Sequence, residues 1–181
     1  MLEITIPSVE EWDELKQEFV YFNEHTIQLE HSLVSLSKWE AKWHKAFLKK
    51  EDKTYEETLD YVRCMTLTPN VSPNVYKFLT EDNVKAINDY IETSMTATYI
   101  HEPKNTKGVS REPVTSELIY YWMIALNIPF ECQYWHLSRL LTLVRVCNIK
   151  NKPPKKHGRR ELMSRNSALN KARRQKLGTK G

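Results

Sequence analysis

The chain opens on strict alternation. Leu2-Glu3-Ile4-Thr5-Ile6 puts an apolar side chain at every second position before Pro7, which predicts a short strand with one buried face. The proline directly after it points to a sheet edge. Two β-branched and aromatic runs follow, Phe19-Val20-Tyr21-Phe22 and Thr26-Ile27-Gln28-Leu29-Glu30, separated by the polar Asn23-Glu24-His25. That spacing predicts a hairpin in which the two runs pair.

From Ser37 the period lengthens. Ser37 with Glu40 three positions on reads as a capping box, and Trp39, Trp43 and Phe47 recur every fourth residue, so they share one helix face directed at a core. After the polar connector 49–53, Thr54 and Glu57 repeat the box ahead of Leu59, Val62 and Met65. Ser72-Pro73 starts a short helix through Leu79, and Thr80-Glu81-Asp82 starts another that carries Val84, Ile87 and Ile91. The alternating stretch Thr93 to Ile100 predicts a strand, and 102–113, with Pro, Lys, Asn and Gly, predicts an exposed loop.

Thr115 then caps the most apolar stretch, Leu118 to Leu126. It is apolar on every side, so it is expected to be buried all round or covered by a partner. Asn127-Ile128-Pro129 breaks it. With Pro129 as the first residue of a following helix, Leu137, Leu140, Leu141 and Val144 form a stripe opposite Ser138, Arg139, Thr142 and Arg145. These two helices are expected to form a hairpin that dominates the core. Beyond Asn148, Pro153-Pro154 ends helical character. The final stretch, Arg159 to Leu177, has only Leu162, Met163, Leu169 and Leu177 as large apolar residues, so it is expected to be marginal as a helix on its own. The expected class is α+β and mainly helical, with short N-terminal strands, a helical core over 1–149 and a basic extension over 150–181 that is flexible or a frayed helix.

Charge sharpens that division. Residues 1–149 hold 15 Lys/Arg against 22 Asp/Glu, a balance of −7; residues 150–181 hold 12 against 1, a balance of +11; together these give the net +4 of the 181-residue chain. An acidic body with a basic arm marks the arm for interaction. The apolar fraction of 40%, with five Trp, nine Tyr and five Phe, is enough to fill a core, so global disorder is excluded. Cys64, Cys132 and Cys147 are odd in number and unpaired in spacing, which predicts buried thiols in apolar helices of a reducing compartment. The N-terminus has no basic segment leading into an apolar one. The nine residues Leu118 to Leu126 fall short of the roughly 20 needed to cross a bilayer. A soluble, cytoplasmic protein with no membrane partner is therefore expected.

Reactive chemistry is hard to assemble from this sequence. The six histidines include no helical His-x-x-x-His pair and no Cys-x-x-Cys accompanies them; Cys132 and His136 fall one helix turn apart, but two groups are not a metal site. Glu56-Glu57-Asp60 and Glu10-Glu11-Asp13-Glu14 bring carboxylates together; beside helix starts they read as solvated acids favoured by the dipole. Glycines stand only at 108, 158, 178 and 181 and no Gly-x-Ser-x-Gly elbow occurs, so neither a phosphate-cradling loop nor a nucleophile elbow can be written. The expectation is a protein that is not an enzyme, with no catalytic residue, metal or cofactor. Partner binding is instead assigned to Trp122 and Trp135 as aromatic anchors, against a competing reading as core, and to Lys155, Lys156, Arg159, Arg160, Arg173 and Arg174. Those cations suit phosphates or an acidic protein surface, although the tail has no aromatic residue for stacking on bases.

Four segments carry a family resemblance: Leu29-Glu30-His31-Ser32-Leu33-Val34-Ser35-Leu36-Ser37-Lys38-Trp39-Glu40, Ile119-Tyr120-Tyr121-Trp122-Met123 through Pro129-Phe130-Glu131, Trp135-His136-Leu137, and Ser164-Arg165-Asn166. Together they make the chain resemble the tail assembly chaperones encoded in the tail gene clusters of long-tailed phages. The quoted residues are of the packing type, and that family has no catalytic motif to carry over. The resemblance implies a non-enzymatic assembly factor acting in the host cell cytoplasm. It would coat the long helical tape measure protein, keep it soluble, recruit tail tube subunits, associate with itself, and leave the finished virion. The alternatives are a structural tail or connector protein that stays in the virion, and a nucleic-acid-associated protein that uses the basic tail.

Overall fold

The structure, a computed structural model, describes residues 1–13, 17–100, 113–152 and 158–178. Packing divides the chain into two units, Met1–Asn148 and Ile149–Gly181. The class is α+β and mainly helical, as the pattern predicts.

In the first unit the opening alternation forms β1 (Leu2–Ile6), antiparallel to β4 (His25–Leu29) with Ile4 opposite Ile27 and Leu2 opposite Leu29. Ile4, Ile6, Ile27 and Leu29 point into the core. The predicted hairpin between the two β-rich runs does not form. β3 (Glu18–Phe22) pairs with β2 (Val9–Asp13) in a separate two-stranded sheet, while β4 returns to β1. The reason lies in cross-strand partners: β2 offers Trp12 opposite Phe19 with ring centroids 4.8 Å apart, and β1 offers the isoleucines that β4 needs on its buried face. Glu10 and Glu11 thus stand on a strand and not beside a helix start; Glu14 lies outside the described residues.

The first helix starts earlier than its sequence suggests. α1 runs Leu33–Trp43, capped by Ser32: the Ser35 N–H donates to Ser32 Oγ at 3.3 Å, and Ser35 Oγ accepts from the Ser32 N–H at 2.9 Å. Ser37 and Glu40 lie inside it. His44 ends the helix in the left-handed region at φ 53°, so Phe47 leaves the helical repeat but still meets Trp39 edge-on at 5.0 Å. α2 (Tyr55–Met65) begins with the predicted Thr54/Glu57 box, and Leu59, Val62 and Met65 are buried. Of the acids of this turn Glu56 is exposed as expected, but the other two are not solvated. Glu57 and Asp60 are buried, with Lys45 Nζ 2.5 Å from Glu57 and Lys42 on Asp60. Lys45, then the Thr54 backbone N–H, hold the Glu57 carboxyl below its usual range.

The expected helix after Ser72-Pro73 shortens to a 3-10 turn over Val75–Phe78. α3 (Glu81–Glu92) has Thr80 as its cap, accepting from the Asn83 N–H at 3.2 Å. The strand expected over 93–100 is absent: the described residues 94–100 carry no regular structure. The loop expected over 102–113 lies outside the described residues apart from Pro113.

Thr115 caps α4 (Ser116–Ala125), as its position predicts. Pro129 does not open the last core helix. It leads into a 3-10 turn, Phe130–Tyr134, and α5 (Leu137–Lys150) starts eight residues later, with Leu137, Leu140 and Val144 buried. The core centres on α1, packed against α2, α4 and that 3-10 turn, and not on a hairpin of α4 with α5. Backbone bonds tie the layers: the Leu137 N–H donates to His31 O at 2.7 Å, and the Glu30 N–H to Met65 O at 2.9 Å.

In the second unit α6 (Arg159–Leu177) is one continuous helix closed by Gly178 at φ 64°, the left-handed C-cap position that glycine fills without strain. Its described side chains are all exposed.

Candidate interaction groove

An open apolar groove in the first unit combines size with apolar walls. Its volume is about 670 Å³. Trp122 of α4 lines it because α4 spends Ile119 and Met123 on the core, leaving Trp122 half-buried at the edge of that face. Leu141 and Val144 of α5, with Leu48 and Val114, supply the rest of its apolar lining. Lys49, Lys50 and Arg145 border it, and among the described residues no carboxylate lines it. Lys49 pairs with Glu51 at 2.5 Å.

Of the anchors expected from sequence, Trp122 lies in this groove. Trp135 does not: it precedes α5, half-buried, with the Arg139 guanidinium 4.0 Å from its ring centroid. Trp39 is core, 1% exposed, its Nε1–H donating to Glu57 O at 2.8 Å. Arg160, Arg173 and Arg174 are exposed on α6. Lys155 and Lys156 lie outside the described residues, as does the side chain of Arg159. Sequence reading missed Leu48, Lys50 and Arg145. Arg145 sits on the polar side of the α5 stripe, and nothing local shows that the segment after α1 returns to meet it.

α4 itself departs from its expectation. It is not buried all round: Tyr121 and Ile124 are 63% and 61% exposed. A shallower hollow of about 340 Å³ borders Glu40, His44, Lys45 and Glu117, but both Glu40 oxygens are already taken, by the Phe47 N–H at 2.9 Å and the Ser116 N–H at 2.7 Å.

The histidines that come together do so in the core. His31 Nδ1 and the Tyr61 hydroxyl are 2.5 Å apart, and the His31 and His136 rings meet at 5.2 Å. His136 Nε2–H donates to Tyr90 O at 3.1 Å, so neutral Nδ1 accepts from the Ser138 N–H at 3.3 Å. Burial first, then the neighbouring His136, pushes the His31 pKa down to about 4; burial also lowers that of His136. Both are thereby neutral packing groups, and neither lines any hollow described above. Cys132 is buried in the 3-10 turn and His136 precedes α5, so the two do not share a helix turn. Cys64 and Cys147 are half-buried, and all three thiols are free. Among the described residues no group of three or more His, Cys, Asp or Glu is placed to hold a metal ion, and no helix is long and apolar enough to cross a membrane.

No protein-family model, curated protein or solved structure matches the chain.

Proposed function

We propose that this chain is a non-enzymatic tail assembly chaperone of a long-tailed phage, acting in the host cell cytoplasm to bind and solubilise the tape measure protein and help recruit tail tube subunits. The observation that carries the reading is the open groove beside Trp122, whose apolar walls suit a partner helix. Tyr121 and Ile124 add apolar surface on the same helix, of the kind that marks an interaction site when contiguous. Trp122 also falls within a segment that resembles the family.

Coexpression with a tape measure fragment tests it. The expected result is that the fragment, insoluble alone, becomes soluble and copurifies with this chain. A fragment that stays insoluble and unbound overturns the reading, and recovery of the chain from purified virions by mass spectrometry assigns it to the structural proteins instead.

The charge of α6 favours a second reading, nucleic-acid association. Arg160, Arg165, Lys171, Arg173, Arg174 and Lys176 are all exposed on one helix. That reading requires binding that falls steeply with salt, because its free energy is mainly counterion release, and that is lost on deleting 150–181.

A further inference from the structure

We propose that the groove beside Trp122 takes an amphipathic helix whose apolar stripe is flanked by acidic residues. The inference deepens the chaperone reading and rests on it for the identity of the natural partner, but its own grounds are shape and charge. The α5 wall is built from Leu141, Val144, Arg145 and Asn148, spaced i, i+3, i+4 and i+7, the ridge that one helix presents to another. The seven rises of 1.5 Å from Leu141 to Asn148 extend that stretch over about 10 Å, or two turns. A volume of about 670 Å³ beside it accommodates several large apolar side chains, with Trp122 in the same lining as the aromatic anchor.

Charge selects among helices. Lys50 and Arg145 are exposed on the rim, and among the described residues neither has a carboxylate partner, in a body whose own balance over 1–149 is −7. Cations concentrated at one apolar groove of an otherwise acidic body steer and register an acidic partner. A second copy meeting groove to groove would set rim against rim. Residues 150–181, at +11, carry the same sign as the rim.

The test uses the full chain and two fluorescein-labelled synthetic helices that share one leucine stripe at every third and fourth position, one flanked by Glu and the other by Lys. Anisotropy titration is expected to show the Glu helix binding roughly tenfold or more tighter than the Lys helix. Lys50→Glu with Arg145→Glu, both at exposed positions, is expected to reverse that order while leaving the circular dichroism unchanged. Equal binding of the two peptides overturns the inference. So does an acidic preference that survives the rim reversal but disappears with Arg173→Glu and Arg174→Glu, which would place it on α6. Solubilisation of the tape measure fragment by the rim-reversed protein sinks the groove and leaves the chaperone standing; groove selectivity without solubilisation does the opposite.

Discussion

The Glu40 carboxylate and the Ser116 backbone N–H meet at 2.7 Å across 76 positions of sequence. Ser116 is the first residue of α4, and its N–H is one of the donors that a helix N-terminus leaves without an internal partner. The other oxygen of Glu40 accepts from the Phe47 N–H at 2.9 Å. One buried side chain on α1 thereby fixes both the segment that leads to the groove's Leu48 and the helix that carries Trp122.

Glu40→Ala is accordingly expected to cost about 3 kcal/mol, because it strips one buried and one part-buried N–H group of a charged acceptor. Glu40→Gln keeps one acceptor oxygen and is expected to cost about half as much. Urea unfolding with unchanged slope measures both. Equal stability of Glu40→Ala and the native chain would mean that water replaces the carboxylate.

Trp39 predicts a second graded series. It is 1% exposed and donates to Glu57 O, so Trp39→Ala loses packing and leaves a cavity, at about 3–5 kcal/mol. Trp39→Phe loses the indole N–H bond and part of the ring, while the Glu57 carbonyl keeps its bond within α2, at about 1–2 kcal/mol. Thermal unfolding of the two variants should separate by that difference, and a Trp39→Ala protein as stable as Trp39→Phe would contradict the packing described.

His31 makes stability depend on acid. Its folded pKa is about 4 against an ordinary 6.5, so between those values the unfolded chain binds the proton that the folded chain refuses. Stability from this group is complete above pH 6.5 and is lost as pH falls towards 4, by roughly 3 kcal/mol at about 1.4 kcal/mol per pH unit. His136 is lowered in the same direction and adds to the trend. His31→Asn is expected to be less stable at pH 7, where it loses the contact with Tyr61, but to show a flatter loss between pH 6.5 and 4. Parallel curves for the two proteins would show that His31 does not titrate in this range.

What the sequence revealed follows how local the determining contact is. The Thr54/Glu57 box and the Thr80 and Thr115 caps close within three residues, and each falls where the pattern predicts. Ser32 was hidden because its reciprocal partner is Ser35 and not a Glu, while Ser37 and Glu40, each five residues on, imitate the usual box. The pairing of β3 with β2 and of β4 with β1 depends on which distant strand offers the matching face, and adjacency pointed elsewhere. The groove was half-visible: Trp122 stood out by type, whereas its cationic rim comes from two segments that only the tertiary fold brings together.

α4 tests that last distinction directly, because every position from Leu118 to Leu126 is apolar and sequence alone gives them equal weight. The fold separates them by helical phase: Ile119 and Met123, four apart, are fully buried, while Tyr121 and Ile124, three apart, are mostly exposed. Met123→Ala is expected to cost about 2–5 kcal/mol through the cavity it leaves. Tyr121→Lys with Ile124→Lys is expected to stay within about 0.5 kcal/mol of the native chain per site, the usual range for surface changes, and to raise solubility by removing exposed apolar area. Denaturant midpoints decide between this assignment and a helix buried on all sides, for which the double lysine variant would fail to fold.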